Sequence, residues 1–206
     1  MPPIGAFIAV TLPLVLSPGL STAVVLRNSV AGGVRAGLET AAGVNAGSVF
    51  YGLLSAAGVT LALQRWPSAW SAFRVAGVAY IAWLGLRSLM RAFADGPALQ
   101  PLSARPVSRG AAANLYEGFV TNALNPAIAT FYLVVVPQFV PPGAPIARSI
   151  LILSAVHVVL ALSWHAVWAA AGGSLARTLS RRRHRQALEI AAGLTLLVLA
   201  ARLALR

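Results

Sequence analysis

The sequence predicts an all-α polytopic membrane protein. Six transmembrane helices form two inverted three-helix repeats, and the first helix of each repeat is broken at a proline. Three observations predict this. Of 206 residues, 58% are hydrophobic and only 10% are charged, against about 25% charged in an average soluble domain. The apolar residues gather in runs long enough to cross hydrocarbon, which takes about 20 residues. Two of those runs, far apart in the chain, carry a proline inside a span: Leu16-Ser17-Pro18-Gly19-Leu20-Ser21 and Asn122-Ala123-Leu124-Asn125-Pro126-Ala127.

The first span runs from about Ile4 to Leu26. No charged side chain precedes Arg27 and the apolar run is too long for a signal peptide's core, so it is expected to be retained. The second runs from about Leu38 to Leu63, between Arg35 and Arg65, and the third from about Ala69 to Met90. A polar linker, residues 94–112, carries Pro97, Pro101 and Pro106. The fourth span, about Asn114 to Phe139, ends at the turn Pro141-Pro142-Gly143-Ala144-Pro145. The fifth, about Ile146 to Ala176, exceeds what crossing needs and is expected to tilt or protrude. A basic run, Arg177 to Arg185, precedes the sixth, about Gln186 to Leu205.

These spans read as three plus three within one domain, 1–206, with repeat 1 over 1–93 and repeat 2 over 113–206. The first member of each half carries the proline, and the second is a long uncharged run. The third has a charge-free core of only twelve residues, Val75–Leu86 or Ile190–Ala201. Ala76-Gly77-Val78 echoes Ala192-Gly193-Leu194. Three is odd, so the second copy enters the membrane in the opposite sense, the usual frame for alternating access.

All sixteen basic residues are arginine, and only Glu39, Asp95, Glu117 and Glu189 oppose them. Most arginines sit at span ends, where anionic headgroups are nearer partners than nucleic acid. Lipid is therefore an expected partner and nucleic acid is not. The connections on one side hold Arg27, Arg35, Arg91, Arg105, Arg109, Arg177, Arg181, Arg182, Arg183 and Arg185. The other side holds Arg65, Arg148 and Arg206. The positive-inside rule puts the first group in the cytoplasm and both termini outside. There is no cysteine, which removes disulfides and thiolate metal sites. The acids and histidines do not cluster in the chain, so neither a metal nor a cofactor is expected.

A broken helix inside hydrocarbon frees backbone groups, tolerated only where the break is buried or lines a wet cavity. Matched breaks in two halves point to a transporter's substrate site. Ser17, Pro18 and Gly19 would free carbonyls that can meet an ammonium and expose a helix N-terminus that can meet a carboxylate. An amino-acid zwitterion carries both groups. The alternative is a simple proline kink. Asn122, Asn125 and Pro126 form the second break, and their amides suit either a zwitterion or interhelical glue. Asn45, in the second span beside Gly43 and Gly47, divides between the same two roles. Glu117 and His157 are candidates for proton coupling. The alternatives are a solvated span end for Glu117 and a neutral, hydrogen-bonded ring for His157. His165 lies eight residues on, about two turns along the same face. Glu39 is expected to pair with Arg35. Trp66, Trp70, Trp83, Trp164 and Trp168 read mostly as belt or packing residues.

These fragments, taken in order, resemble the LysE/RhtB family of bacterial amino-acid exporters over nearly the whole chain. Ser17-Pro18-Gly19, then Gly33-Val34-Arg35-Ala36-Gly37-Leu38 and Gly43, is similar to that family's N-terminal signature. Gly77-Val78-Ala79-Tyr80-Ile81-Ala82-Trp83-Leu84-Gly85 is similar to its third-span motif. Gly118-Phe119, Asn122-Ala123-Leu124-Asn125-Pro126 and Pro137-Gln138-Phe139 match most specifically. The resemblance implies a cytoplasmic-membrane exporter of amino acids or close derivatives, driven by the proton gradient. Members often carry proline and then an acid or amide after the first Pro-Gly, and lysine after the second Asn-Pro. This chain has Leu20, Ser21 and Ala127 there, which bears on substrate identity.

The expected function is secondary active export of neutral amino acids or derivatives of the homoserine, threonine or leucine type, by proton antiport. The scarcity of membrane acids argues against a cationic substrate. Export of another small solute or ion is the alternative. An intramembrane enzyme would need Ser17 or Ser163 beside a histidine, and the chain spacing gives no support for one. Glycine-rich faces permit a homodimer.

Overall fold

A computed structural model of the chain describes residues 2–17, 19–65, 69–93, 110–179 and 182–205. Pro18, Trp66, the linker at 94–109, and the side chains of Trp70, Pro126 and most of the basic run 177–185 lie outside the described residues. Among those described there are helices and short connections and no strand: α1 (Ile4–Leu16), α2 (Leu20–Arg65), α3 (Ala69–Phe93), α4 (Ala111–Ala123), α5 (Pro126–Thr130), α6 (Ile146–Leu179) and α7 (Arg182–Ala204).

α2 is two helical arms folded back at Gly33. Gly33 has φ 80° and ψ 177°, in a region that side chains with a Cβ avoid. Asn28 Nδ2 donates to Thr40 Oγ1 at 2.8 Å, although twelve residues of straight helix would separate them by about 18 Å. Ser29 Oγ reaches the Ala169 carbonyl of α6 at 2.6 Å and secures the first arm. The sequence places a connection between Leu26 and Leu38. The structure tightens that connection to one glycine and leaves Arg27 and Arg35 on helix.

The segment after α5 changes pitch twice, through a π turn (Phe131–Val135) and a 3-10 turn (Val136–Phe139). Pro137 has no N–H to continue an α-helical ladder, and the tighter turn accommodates it. The expected turn at 141–145 is present, with Ala144 N donating to the Pro141 carbonyl at 3.1 Å and Gly143 at φ 75°.

Packing follows from where small residues let backbones meet. A Cβ on Gly43 would stand 2.0 Å from the Leu115 carbonyl oxygen, and one on Gly118 would stand 2.2 Å from that of Thr40. The second arm of α2 and α4 therefore touch backbone to backbone, through Gly43 and through Gly118. α3 packs on α7 where Gly85 meets Gly193. α6 packs along α2 and touches α1. One apolar core gathers Phe7, Phe131, Tyr132, Phe139, Ile150, Leu153 and Leu196, and a second gathers Val24, Val25, Ala41, Val44 and Trp168.

Among the described residues, one helix is by itself long and apolar enough to cross a membrane, Ile146–Ala171. Two bent pairs raise this to three crossings if each is one span. Ile4–Leu16 meets Leu20–Gly58 at 51°, and Ala111–Ala123 meets Ala127–Phe139 at 63°.

Candidate functional site

At the first interruption α1 ends with Ser17 in an extended conformation (φ −69°, ψ 119°), its N–H held by the Pro13 carbonyl at 3.1 Å. At the second, Asn125 is extended (φ −82°, ψ 109°) and its side-chain oxygen accepts from Ala127 N at 3.0 Å. Each of these residues precedes a proline, and a proline ring disfavours helical angles in the residue before it. The Asn125 bond is an N-cap, which satisfies an amide that the start of α5 would otherwise leave open.

The two interruptions face one cavity of about 220 Å³. That is smaller than the ~300–1,000 Å³ typical of drug-sized sites and suits a small solute. Ser17, Gly19, Leu20 and Ser21 line it from the first interruption, and Asn122, Asn125, Ala127 and Ile128 from the second. The second arm of α2 adds Val44 and Ser48, and α6 adds His157, Ala161 and His165. Leu14, Val15, Phe131 and Leu196 supply apolar wall, while Arg87 and Arg91 of α3 bring charge and Ser88 a hydroxyl.

Asn122 ties these elements together. It is fully buried. Its amide nitrogen donates to the Val44 carbonyl at 2.8 Å and to Ser48 Oγ at 3.0 Å, and its oxygen accepts from Ser21 Oγ at 2.9 Å. The Ser21–Asn122 bond links the two interruptions directly within the cavity wall. Asn45 is not in the wall. It donates to the Ala41 carbonyl at 2.8 Å and contacts His165 Nδ1 at 3.3 Å, so it stands behind a ring that is in the wall.

The two coupling candidates separate. His157 lines the cavity and shares a 2.7 Å hydrogen bond with the Tyr132 hydroxyl, with the Phe131 ring 4.8 Å away. Glu117 is not among the lining residues. It pairs with Arg27 at 2.5 Å and accepts from Asn28 Nδ2 at 2.9 Å, clamping α4 to the first arm of α2. Glu39 pairs with Arg35 at 3.0 Å, as their spacing suggests, and also accepts from Asn114 at 2.8 Å.

Glu189 had no place in the sequence-level site, yet it is buried beside the cavity. Ser88 Oγ donates to its carboxylate, Arg91 lies 3.3 Å away, and Ser17 Oγ approaches to 3.5 Å. Its isolation in the chain hid it, because its partners come from two distant parts of the sequence, Ser17 at the end of α1 and Ser88 with Arg91 on α3.

Comparison with known proteins identifies the family. A family pattern described as LysE type translocator matches residues 12–206, and the chain belongs to that family. It is 24% identical over 163 residues to an uncharacterized membrane protein, YrhP, of Bacillus subtilis (77% of this chain, 78% of that protein). It is 30% identical over 131 residues to a leucine efflux protein of Klebsiella pneumoniae (64% of this chain, 60% of that protein). It is also 30% identical over 141 residues to a leucine efflux protein of Enterobacter (68% of this chain, 63% of that protein). The chain thus spans less than two thirds of both leucine efflux proteins. No solved structure matches it. It is a membrane protein of a transporter family.

Proposed function

We propose that the chain exports neutral, apolar-tailed amino acids of the leucine type from the bacterial cytoplasm by proton antiport. The observation that carries this is that both helix interruptions line one and the same cavity. Its serines and asparagines suit a zwitterion's charged end, and Leu14, Val15, Ile128 and Phe131 suit an aliphatic tail. The names of the Klebsiella and Enterobacter relatives favour leucine among the neutral candidates.

In this reading the helices form six spans with both termini outside, and Pro18 and Pro126 cause the two breaks. The packing supports an inverted repeat. The opening helix of the second half, α4, lies along the second arm of α2. The opening arm of the first half lies along α6, through Ser29 and Ala169. Each opening helix thus packs on the second helix of the other half, while the third helices, α3 and α7, pair with each other. That is the exchange a pseudo-two-fold axis generates. His157, which lines the cavity, is the proton-coupling residue, and Glu117 serves as a clamp on Arg27 outside the coupling path.

The test is reconstitution into liposomes with labelled L-leucine, L-threonine and L-homoserine and an imposed pH gradient. Gradient-driven flux of at least one is expected. Flux that ignores the gradient removes antiport, and no flux of any of the three removes the exporter reading.

A further inference from the structure

We propose that Arg87 anchors the carboxylate of the transported solute at the α3 side of the cavity. This rests on the amino-acid reading above and names the group that recognises the solute's negative end.

Two guanidinium groups line the cavity, Arg87 and Arg91, one helical turn apart on α3. They are not equivalent. Arg91 is matched by the buried carboxylate of Glu189 at 3.3 Å, and Ser88 donates to that same carboxylate. Arg87 has no acid partner among the described residues. Its guanidinium lies over the Trp83 ring, 5.1 Å from the centroid. A ring face holds a guanidinium's plane and leaves its N–H edge open, and that edge is what meets a carboxylate in a forked pair. The pocket therefore holds one neutralised cation and one whose donors are uncommitted.

The other polar side chains of the wall are Ser17, Ser21, Thr22, Ser48 and Ser88, the two asparagines and the His157 and His165 rings, and none is an acid. A zwitterion's carboxylate entering this space therefore meets, in Arg87, an arginine with no acid partner among the described residues. The helix carbonyls and serine hydroxyls about the interruptions remain for its ammonium. Glu189 acts as a positioning residue. By pairing with Arg91 at 3.3 Å it compensates the second guanidinium and leaves Arg87 as the one available to the solute.

The experiment compares wild type, Arg87→Gln and Arg87→Lys in liposomes, with Arg148→Gln as a control outside the cavity wall. Exchange of labelled L-leucine is measured against two unlabelled competitors. N-acetyl-leucine keeps the carboxylate and loses the ammonium, whereas leucinamide does the reverse. Wild type is expected to be inhibited more by N-acetyl-leucine. Arg87→Gln should raise half-saturation for leucine about tenfold, the scale of one lost charge-assisted hydrogen bond, and should abolish the preference between competitors. Arg87→Lys should keep the preference at weaker affinity. A thermal melt of each variant in detergent separates misfolding from lost recognition. If Arg87→Gln folds and keeps both affinity and preference, the anchor is wrong and the exporter reading stands. If it weakens both competitors equally, Arg87 serves a lipid headgroup and the proposal falls. If wild type exchanges no amino acid, the reading and the anchor fall together.

Discussion

At Asn122 the demands of packing and of recognition fall on one side chain. Its three hydrogen bonds run to Val44, Ser48 and Ser21, so it holds α4 to both arms of α2 while facing the cavity. Asn122→Ala is expected to lower stability by about 1–2 kcal/mol, the upper range for hydrogen bonds between membrane helices. Thermal unfolding in detergent reads this. A role confined to glue leaves half-saturation for leucine unchanged in the folded fraction, whereas contact with the solute raises it. Gly43 gives a sharper steric case. Gly43→Ala would drive a methyl into the Leu115 carbonyl 2.0 Å away. It should cost about 1–3 kcal/mol as the helices separate. Gly58 meets nothing within 4 Å, and Gly58→Ala should be neutral or stabilising by up to about 1 kcal/mol. Equal melting of the two variants would refute the packing at Gly43.

Among elements, the folded-back α2 depends most on single residues. Its reversal needs positive φ at Gly33. Gly33→Ala and Gly33→Asn are both expected to cost about 1–3 kcal/mol, because φ 80° with ψ 177° lies in a region that essentially only glycine enters and outside the left-handed helical region that asparagine tolerates. Denaturation of both variants checks this, and wild-type stability in either would refute the strained reversal. The arms are also joined through Asn28 and Thr40, and Arg27 pairs with Glu117 across to α4. That ion pair is about a quarter exposed on both partners. A double-mutant cycle on Arg27→Gln and Glu117→Gln should therefore give a coupling of only about 1 kcal/mol or less. A much larger coupling would mean that Glu117 is more than a clamp. The interruptions were legible as local chemistry, since Ser17 and Asn125 each precede a proline. The fold-back at a single glycine was not, because Gly32 and Gly33 are equally permissive in sequence and only packing against α6 and α4 selects the position.

At the scale of the whole molecule, the cavity's position between the two interruptions decides its use. An exporter built on a repeat of opposite sense should have both ends of the chain on the outer face. Reporter fusions at each terminus test this, and a cytoplasmic C-terminus would overturn the six-span arrangement. Replacing His157 with glutamine should abolish gradient-driven accumulation while sparing leucine exchange. Glu117→Gln should lower stability without uncoupling, because its carboxylate faces Arg27 and Asn28 and not the cavity. Uncoupling by Glu117→Gln alone would reverse that assignment.

Composition alone placed this chain in a membrane, because hydrocarbon accepts so few charges. Ser17 and Asn125, each just before a proline, marked two helix ends in the chain itself, because a ring without an N–H acts on its immediate neighbours, although Pro13 stays inside α1. The tertiary structure decided which marked residues share a space. It joined Ser21 to Asn122 within the cavity wall, set Asn45 behind the wall, drew Glu117 away to Arg27 and brought Glu189 to Ser88, Arg91 and Ser17. No local pattern carries that information. Hydrogen bonds and ion pairs act over about 3 Å in space, whereas these partners lie tens to hundreds of residues apart in the chain, and only the packing of α2 against α4 and α6 and of α3 against α7 sets which of them meet.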